Sequence, residues 1–165
     1  MAADWRRVMA GVLAAALAGA AAHAAPRFPP RPTPAEVEAS LARNGARATV
    51  SALFDQRRWD YVSDRIGAGD GAWVALAPRL AAGADAGTAE DLPIALAFAL
   101  PRNPAAVLAA LGSGAFDIGE VCGAPFIEGT VSDLPAYVRR ARAAVRRVDA
   151  PALAAARRAC LAALA

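Results

Sequence analysis

The chain has 165 residues, enough for one domain, and 57 % of them are hydrophobic, although alanine supplies much of that fraction. All 18 basic residues are arginine, the only histidine is His23, and there are two cysteines. The absence of lysine excludes a lysine nucleophile. If export removes His23, histidine-dependent catalysis and histidine metal ligands are excluded too. We therefore predict no catalytic residue, no metal and no cofactor.

Residues 1–24 have the pattern of a secretory signal peptide. An arginine pair precedes an apolar stretch, and Ala22, His23 and Ala24 form a small-x-small cleavage site. A membrane anchor is disfavoured because the apolar stretch is short and rich in alanine. Whether export uses the general or the twin-arginine route stays open. We predict cleavage near Ala24 and Ala25, a periplasmic or extracellular location, and no stable membrane insertion.

Residues 25–32 form a proline-rich leader ahead of a helical domain at 33–165. The segment 25–34 contains five prolines, so an extended, polyproline-like conformation is expected. We interpret it as a spacer, with a recognition segment as the alternative.

The clearest helix start combines Thr33 as a cap with a proline next and Glu36 closing a capping box. This helix should end near Gly45. The apolar residues on either side of Asp55 lie on different helical faces, which predicts a break there, with Asp55 capping the next helix. Phe54 belongs to the first apolar face and should be buried.

Asp70 should cap a helix that Pro78 kinks or shortens. Thr88 should then cap a central helix over residues 88–100, which is apolar on every side. Such a helix must be covered on all sides and is too short to cross a bilayer. Asn103 opens a further helix that ends at Gly112.

Residues 112–132 lack a clear period, except that residues 118–122 could form one helical turn. A helix is predicted from Ser132, and Asp149 should cap a last one. The sequence thus predicts an all-α fold of six to eight short helices in a single small domain. The helix pairs between Arg57 and Leu111 resemble HEAT-type repeats in architecture without matching a repeat consensus, and an irregular array of short helices is the alternative.

Cys122 and Cys160 are the only cysteines and would enter an oxidising compartment together. A structural disulfide is the expected state there, and the Cys-x-x-Cys spacing of a redox site is absent. We predict that the bridge joins the irregular segment to the last helix.

Charge is divided unevenly along the chain. Residues 33–133 hold 7 arginines and 13 acids, a net −6, whereas residues 134–165 hold 7 arginines and 1 acid, a net +6. One helix face concentrates five arginines: Arg139, Arg140, Arg142, Arg146 and Arg147. That face could bind an acidic protein or an anionic envelope component, or it could be an ordinary solvated face. Nucleic acid is not an expected partner, because no binding motif supports one.

Asp117, Glu120 and Glu128 cluster in the glycine-rich segment and form a weaker alternative site. Paired carboxylates can cleave glycosidic bonds, so a small carbohydrate-active hydrolase is the alternative function. These acids could equally be helix caps and solvated loop residues.

The preferred functional hypothesis is an exported, non-enzymatic interaction protein. An inhibitor or immunity-type partner of a cell-envelope enzyme or toxin fits that description by analogy of compartment and build alone. A binder of the envelope surface, acting through the arginine face, is a further alternative.

Overall fold

The computed structural model describes residues 24–127 and 129–164, so the predicted signal peptide lies outside the described residues. Within them the chain is helical and has no strand, which confirms the all-α prediction. Within these residues, a short 3-10 turn at Pro151–Leu153 precedes the last of eight α-helices. In order these are α1 Pro34–Asp55, α2 Trp59–Gly67, α3 Gly71–Ala81, α4 Ala86–Ala99, α5 Pro104–Leu111, α6 Ile118–Cys122, α7 Leu134–Arg146 and α8 Ala154–Ala163.

The helices pack in two layers. The odd-numbered helices contact one another in the sequence α1, α3, α5, α7, and the even-numbered helices contact one another in the sequence α2, α4, α6, α8. Contacts between chain neighbours such as α1 with α2, α3 with α4, and α7 with α8 join the layers. The pairs α1 with α2, α3 with α4 and α7 with α8 pack as αα-hairpins, whereas α5 and α6 are not in comparable contact with each other.

Three predicted helix caps are confirmed. Thr33 forms the full capping box with Glu36, and the side chains of Asp70 and Asn103 accept hydrogen bonds from the backbone of α3 and α5. α3 continues through Pro78 to Ala81. In each case a short oxygen-bearing side chain satisfies backbone N–H groups that the helix leaves unpaired.

The predicted cap of the central helix is wrong. Asp85 caps α4, and Thr88 lies inside the helix at its third position, where it completes a reciprocal capping box with Asp85. Asp85 and Thr88 bond to backbone N–H groups that have no partner within the helix. They do so nearly one turn before the predicted start, so α4 begins at Ala86.

Two further cap predictions are wrong, and so is the prediction that Phe54 is buried. Asp55 is the last residue of α1, and the turn that follows, with Arg57 at φ 56°, delays α2 until Trp59. Asp149 does not cap α8, because the chain enters that helix through the 3-10 turn. Phe54 is 60 % exposed, since the buried face of α1 centres on Thr49 and Leu53 instead.

The predicted end of the first helix at Gly45 is confirmed, because α1 consists of two helical segments that meet at a kink there. Gly45 has φ 78° and ψ 169°, outside the helical region, and helix resumes directly after it. Gly83, after α3, is buried against this kink: a Cβ built on Gly83 would lie 2.2 Å from the Ala46 carbonyl carbon. Glycine at position 83 therefore allows α3 and α1 to approach at backbone distance.

The proline-rich leader contains no helix or strand, and it is packed against the domain. The Phe28 ring is only 9 % exposed and belongs to the hydrophobic core. The Gln56 side chain accepts a hydrogen bond from the Phe28 N–H (2.9 Å) and donates one to the Pro26 carbonyl (2.7 Å). This part of the leader is therefore a structural element of the domain and not a free spacer.

The central helix α4 lies between α2 and α6 in its own layer and against α3 and α5 in the other. Leu92, Leu96 and Ala99 are fully buried, yet Ile94 and Phe98 are only half-buried. The expected cover on all sides is incomplete because α6 has 5 residues against the 14 of α4. None of the described helices combines the length and apolar character needed to cross a membrane.

Candidate interaction surfaces

The arginine face lies on α7, at the C-terminal end of the odd-numbered layer. α7 buries Tyr137, Ala141, Ala144 and Val145 on one side. Four arginines on the other side are exposed: Arg139, Arg140, Arg146 and Arg147. We call these four residues the arginine face. They surround Ala143, which is also exposed, at spacings of three and four residues, so they are neighbours on the helix surface.

The fifth predicted arginine, Arg142, is not available in the same way. Its guanidinium is half-buried and donates a hydrogen bond to the Leu164 carbonyl, 2.8 Å away, at the end of α8. Arg157 similarly donates to the Val148 carbonyl after α7. These two arginines bond to carbonyls that the helices leave unpaired at their C-termini, so they hold α7 and α8 together.

The charges of the arginine face are not neutralised by the described residues. The described residues form two ion pairs, Arg65 with Asp70 in the α2–α3 turn and Arg79 with Glu38 between α3 and α1. Neither pair lies on α7. Guanidinium groups that share one side of a helix produce a positive potential suited to carboxylates or phosphates.

The structure gives the predicted acidic site different roles. Asp117 caps α6, because its carboxylate accepts a hydrogen bond from the Glu120 N–H at 3.0 Å. The Glu120 side chain is exposed, and Glu128 lies outside the described residues. The described part of the chain contains no group of three acidic, cysteine or histidine side chains placed to hold a metal ion. A capping carboxylate has a structural role, and that is the role the structure shows for Asp117.

Sequence reasoning missed a second surface, which lies on the open side of α4. A groove of about 460 Å³ runs between α4 and the segment after α6, and a cleft of about 410 Å³ lies on the α2 side of α4. Ile94 lines both, and Ile127 beside the groove is 75 % exposed. The apolar residues on every side of α4 were the sequence signal for this surface. Which side of α4 remains exposed depends on the short length of the neighbouring helix α6.

The aromatic side chains do not form a free ligand platform. Trp59 and Trp73 are each 2 % exposed, and the Trp59 indole donates to the Asp91 carboxylate at 2.7 Å. Tyr61 packs edge-on against Trp73 with ring centroids 6.2 Å apart. Tyr137 donates its hydroxyl proton to the Ala97 carbonyl, and burial raises the pKa of that hydroxyl. All four side chains fix helix positions.

The predicted disulfide is confirmed. Cys122 at the end of α6 and Cys160 in α8 are bonded, with Cα atoms 5.3 Å apart, and both are fully buried. The bridge ties the short α6 to the terminal hairpin that carries the arginine face. Its position is structural, since no other described cysteine is available for exchange.

No protein-family model, curated protein or solved structure matches this chain.

Proposed function

We propose that the protein is an exported, non-enzymatic interaction protein that binds an acidic partner protein through the arginine face. The observation that carries the proposal is the arrangement of Arg139, Arg140, Arg146 and Arg147. They are exposed on one side of one helix, and no described acid pairs with them. An inhibitor or immunity-type partner of a cell-envelope enzyme or toxin is the finer hypothesis, and the secretory pattern of residues 1–24 supports its compartment.

The packing of α7 in the fold supports the proposal. α7 is held by its contacts with α5 and α8, by the Tyr137 hydrogen bond to α4, and by Arg142 at the end of α8. The disulfide in turn fixes α8 to α6. A charged surface on a fixed scaffold loses little conformational entropy when it binds a partner.

Export is tested first, by mass spectrometry of the protein recovered from the periplasm or medium. We expect an N-terminus near Ala25. Recovery of the full-length chain in the cytoplasm or the membrane fraction would contradict the exported form of the proposal.

The binding proposal is tested by reversing four charges together, as R139E/R140E/R146E/R147E. Arg142 stays unchanged because it bonds to the Leu164 carbonyl. Single rim charges contribute little each, so the set must change at once. We expect the folded variant to lose at least ten-fold in affinity for a partner captured from an envelope extract. Binding by the wild-type protein should weaken as salt rises.

A matched control carries the same change in net charge elsewhere. The variant R27E/R31E/R43E/R57E reverses four exposed arginines in the leader, in α1 and in the turn after α1. It should keep wild-type affinity, and both variants should keep the helical circular dichroism. Equal loss of binding in the two variants would show that net charge and not the arginine face determines binding. Undiminished binding by the α7 variant would refute the proposal.

A further inference from the structure

A second surface, of opposite charge, lies on the open side of α4. The apolar residues there are Ile94 and Ile127, with Pro93 and Pro125 in the wall of the groove. Ile127 is the most exposed of the large apolar side chains that the structure describes, at 75 %. A central helix that is apolar all round leaves one stripe uncovered, and such a stripe is a place where another chain can bind.

The position of the groove in the fold indicates the shape of the partner that can bind in it. In the even-numbered layer α4 packs between α2 and α6, but α6 ends at Cys122 after 5 residues. Residues 123–127 then continue without helix along the groove. The groove therefore lies between α4 and a segment of the even-numbered layer that is not helical. A short helix from another molecule would extend the layer there by ordinary helix packing.

The charges around this surface indicate the chemistry of that helix. Glu90 and Glu120 line the groove, and Asp64 and Asp91 line the adjoining cleft. Neither ion pair formed by the described residues involves any of these four acids. The one basic residue lining the cleft is Arg102, and its guanidinium donates to the Phe98 carbonyl. The rim is thus acidic around an apolar centre.

We propose that this surface is a second docking site, and that it takes a cationic amphipathic helix. The apolar side of that helix would pack between Ile94 and Ile127, and arginine or lysine residues flanking it would lie beside Glu90, Asp91 and Glu120. This site is separate from the arginine face on α7 and does not depend on the function proposed for it. A protein with both surfaces can bind one acidic and one basic partner.

The isoleucines allow a direct test, because the chain has only four: Ile66, Ile94, Ile118 and Ile127. The protein is labelled with ¹³C at the isoleucine δ1 methyl groups and titrated with a synthetic helical peptide. The peptide has leucines along one side and arginines flanking them. We expect the Ile94 and Ile127 signals to shift with the added peptide, while Ile66, fully buried in α2, stays in place. A peptide with glutamate in place of each arginine should bind at least ten-fold more weakly.

Matched variants locate the binding. Ile127→Asp should weaken binding of the arginine-containing peptide at least ten-fold. Phe54→Asp, at the 60 % exposed phenylalanine of α1, should leave the affinity for that peptide unchanged. Glu90→Lys with Glu120→Lys should remove the preference for the arginine peptide. Asp60→Lys with Asp149→Lys, at exposed acids outside the groove, should keep that preference. Equal binding of the two peptides, or binding that leaves the Ile94 and Ile127 signals unmoved, would overturn the proposal.

Discussion

Phe28 and Phe54 show how one residue type takes opposite roles in this chain. Phe28 comes from a segment with no helical pattern, yet it is 9 % exposed, whereas Phe54 comes from a helix and is 60 % exposed. The burial of Phe28 follows from the Gln56 side chain, which forms hydrogen bonds with the Phe28 N–H and the Pro26 carbonyl of the leader. These two bonds hold the Phe28 ring against the core. No local pattern reveals that long-range contact.

Phe28→Ala should lower the free energy of unfolding by about 2 to 4 kcal/mol, because it removes a buried ring whose segment can partly readjust. Phe54→Ala is the matched control and should change it by less than about 0.5 kcal/mol. Denaturant titration followed by circular dichroism measures both. Equal effects would contradict the packed leader.

Two capping carboxylates should make stability depend on acid pH. Hydrogen bonds from Thr33 lower the pKa of Glu36 below its ordinary value of 4.5, and hydrogen bonds from Thr88 lower the pKa of Asp85 below 3.8. A carboxyl whose pKa is lower in the folded state stabilises the fold above its unfolded pKa. That contribution is lost as the pH falls through the folded pKa.

Glu36→Gln combined with Asp85→Asn should therefore flatten the decline of the melting temperature below about pH 4.5. The amide side chains can still cap, so the double variant should remain folded at neutral pH. Thermal melts over a pH series measure this, with Asp149→Asn as the control. Parallel curves for the double variant and the wild type would contradict the assignment.

At the scale of whole elements, the contact between α3 and the α1 kink tests the packing of the odd-numbered layer. Gly83→Ala would place a methyl group 2.2 Å from the Ala46 carbonyl carbon. The two helices would have to separate, so we expect a loss of about 2 kcal/mol or more. Gly87→Ala, in the first turn of α4 with its nearest neighbour atom 4.0 Å away, should instead stabilise by about 0.5 to 1 kcal/mol. Chemical denaturation of both variants measures the contrast, and a neutral Gly83→Ala would contradict the close approach.

Most helix positions could be predicted from the sequence because capping signals are local. Thr33 with Glu36, Asp70, and Asn103 before a proline each begin a helix as expected. The errors came where two residues compete for one cap, as Asp85 and Thr88 do, or where a tight turn or a 3-10 turn delays the next helix, as after Asp55 and Asp149. Those outcomes depend on backbone geometry that side-chain identity does not specify.

Across the whole molecule, the disulfide closes a long loop. Cys122 and Cys160 are 38 residues apart, so either Cys122→Ala or Cys160→Ala opens the same loop. Each should lower the free energy of unfolding by about 2 to 4 kcal/mol, and by similar amounts. Titration of the native wild-type protein should find no free thiol. Two reactive thiols, or widely different losses in the two variants, would contradict this role of the bridge.

The candidate surfaces could be predicted only in part. The arginine periodicity on α7 located four exposed arginines, but the Arg142 hydrogen bond to Leu164 depends on how α7 meets α8. The groove on α4 depends on the layered order of the helices and on the short length of α6. Pairing between helices is a property of the assembled chain, so a single helix pattern does not reveal which side remains open.

Site-specific photocrosslinking in living cells tests the central proposal most directly. Ala143 is exposed at the centre of the arginine face and can be replaced by a photoreactive residue without removing an arginine. Ala75, exposed on α3, is the matched control. We expect a discrete adduct with an acidic envelope protein from position 143 and none from position 75. No adduct from position 143, or the same adducts from both positions, would contradict it.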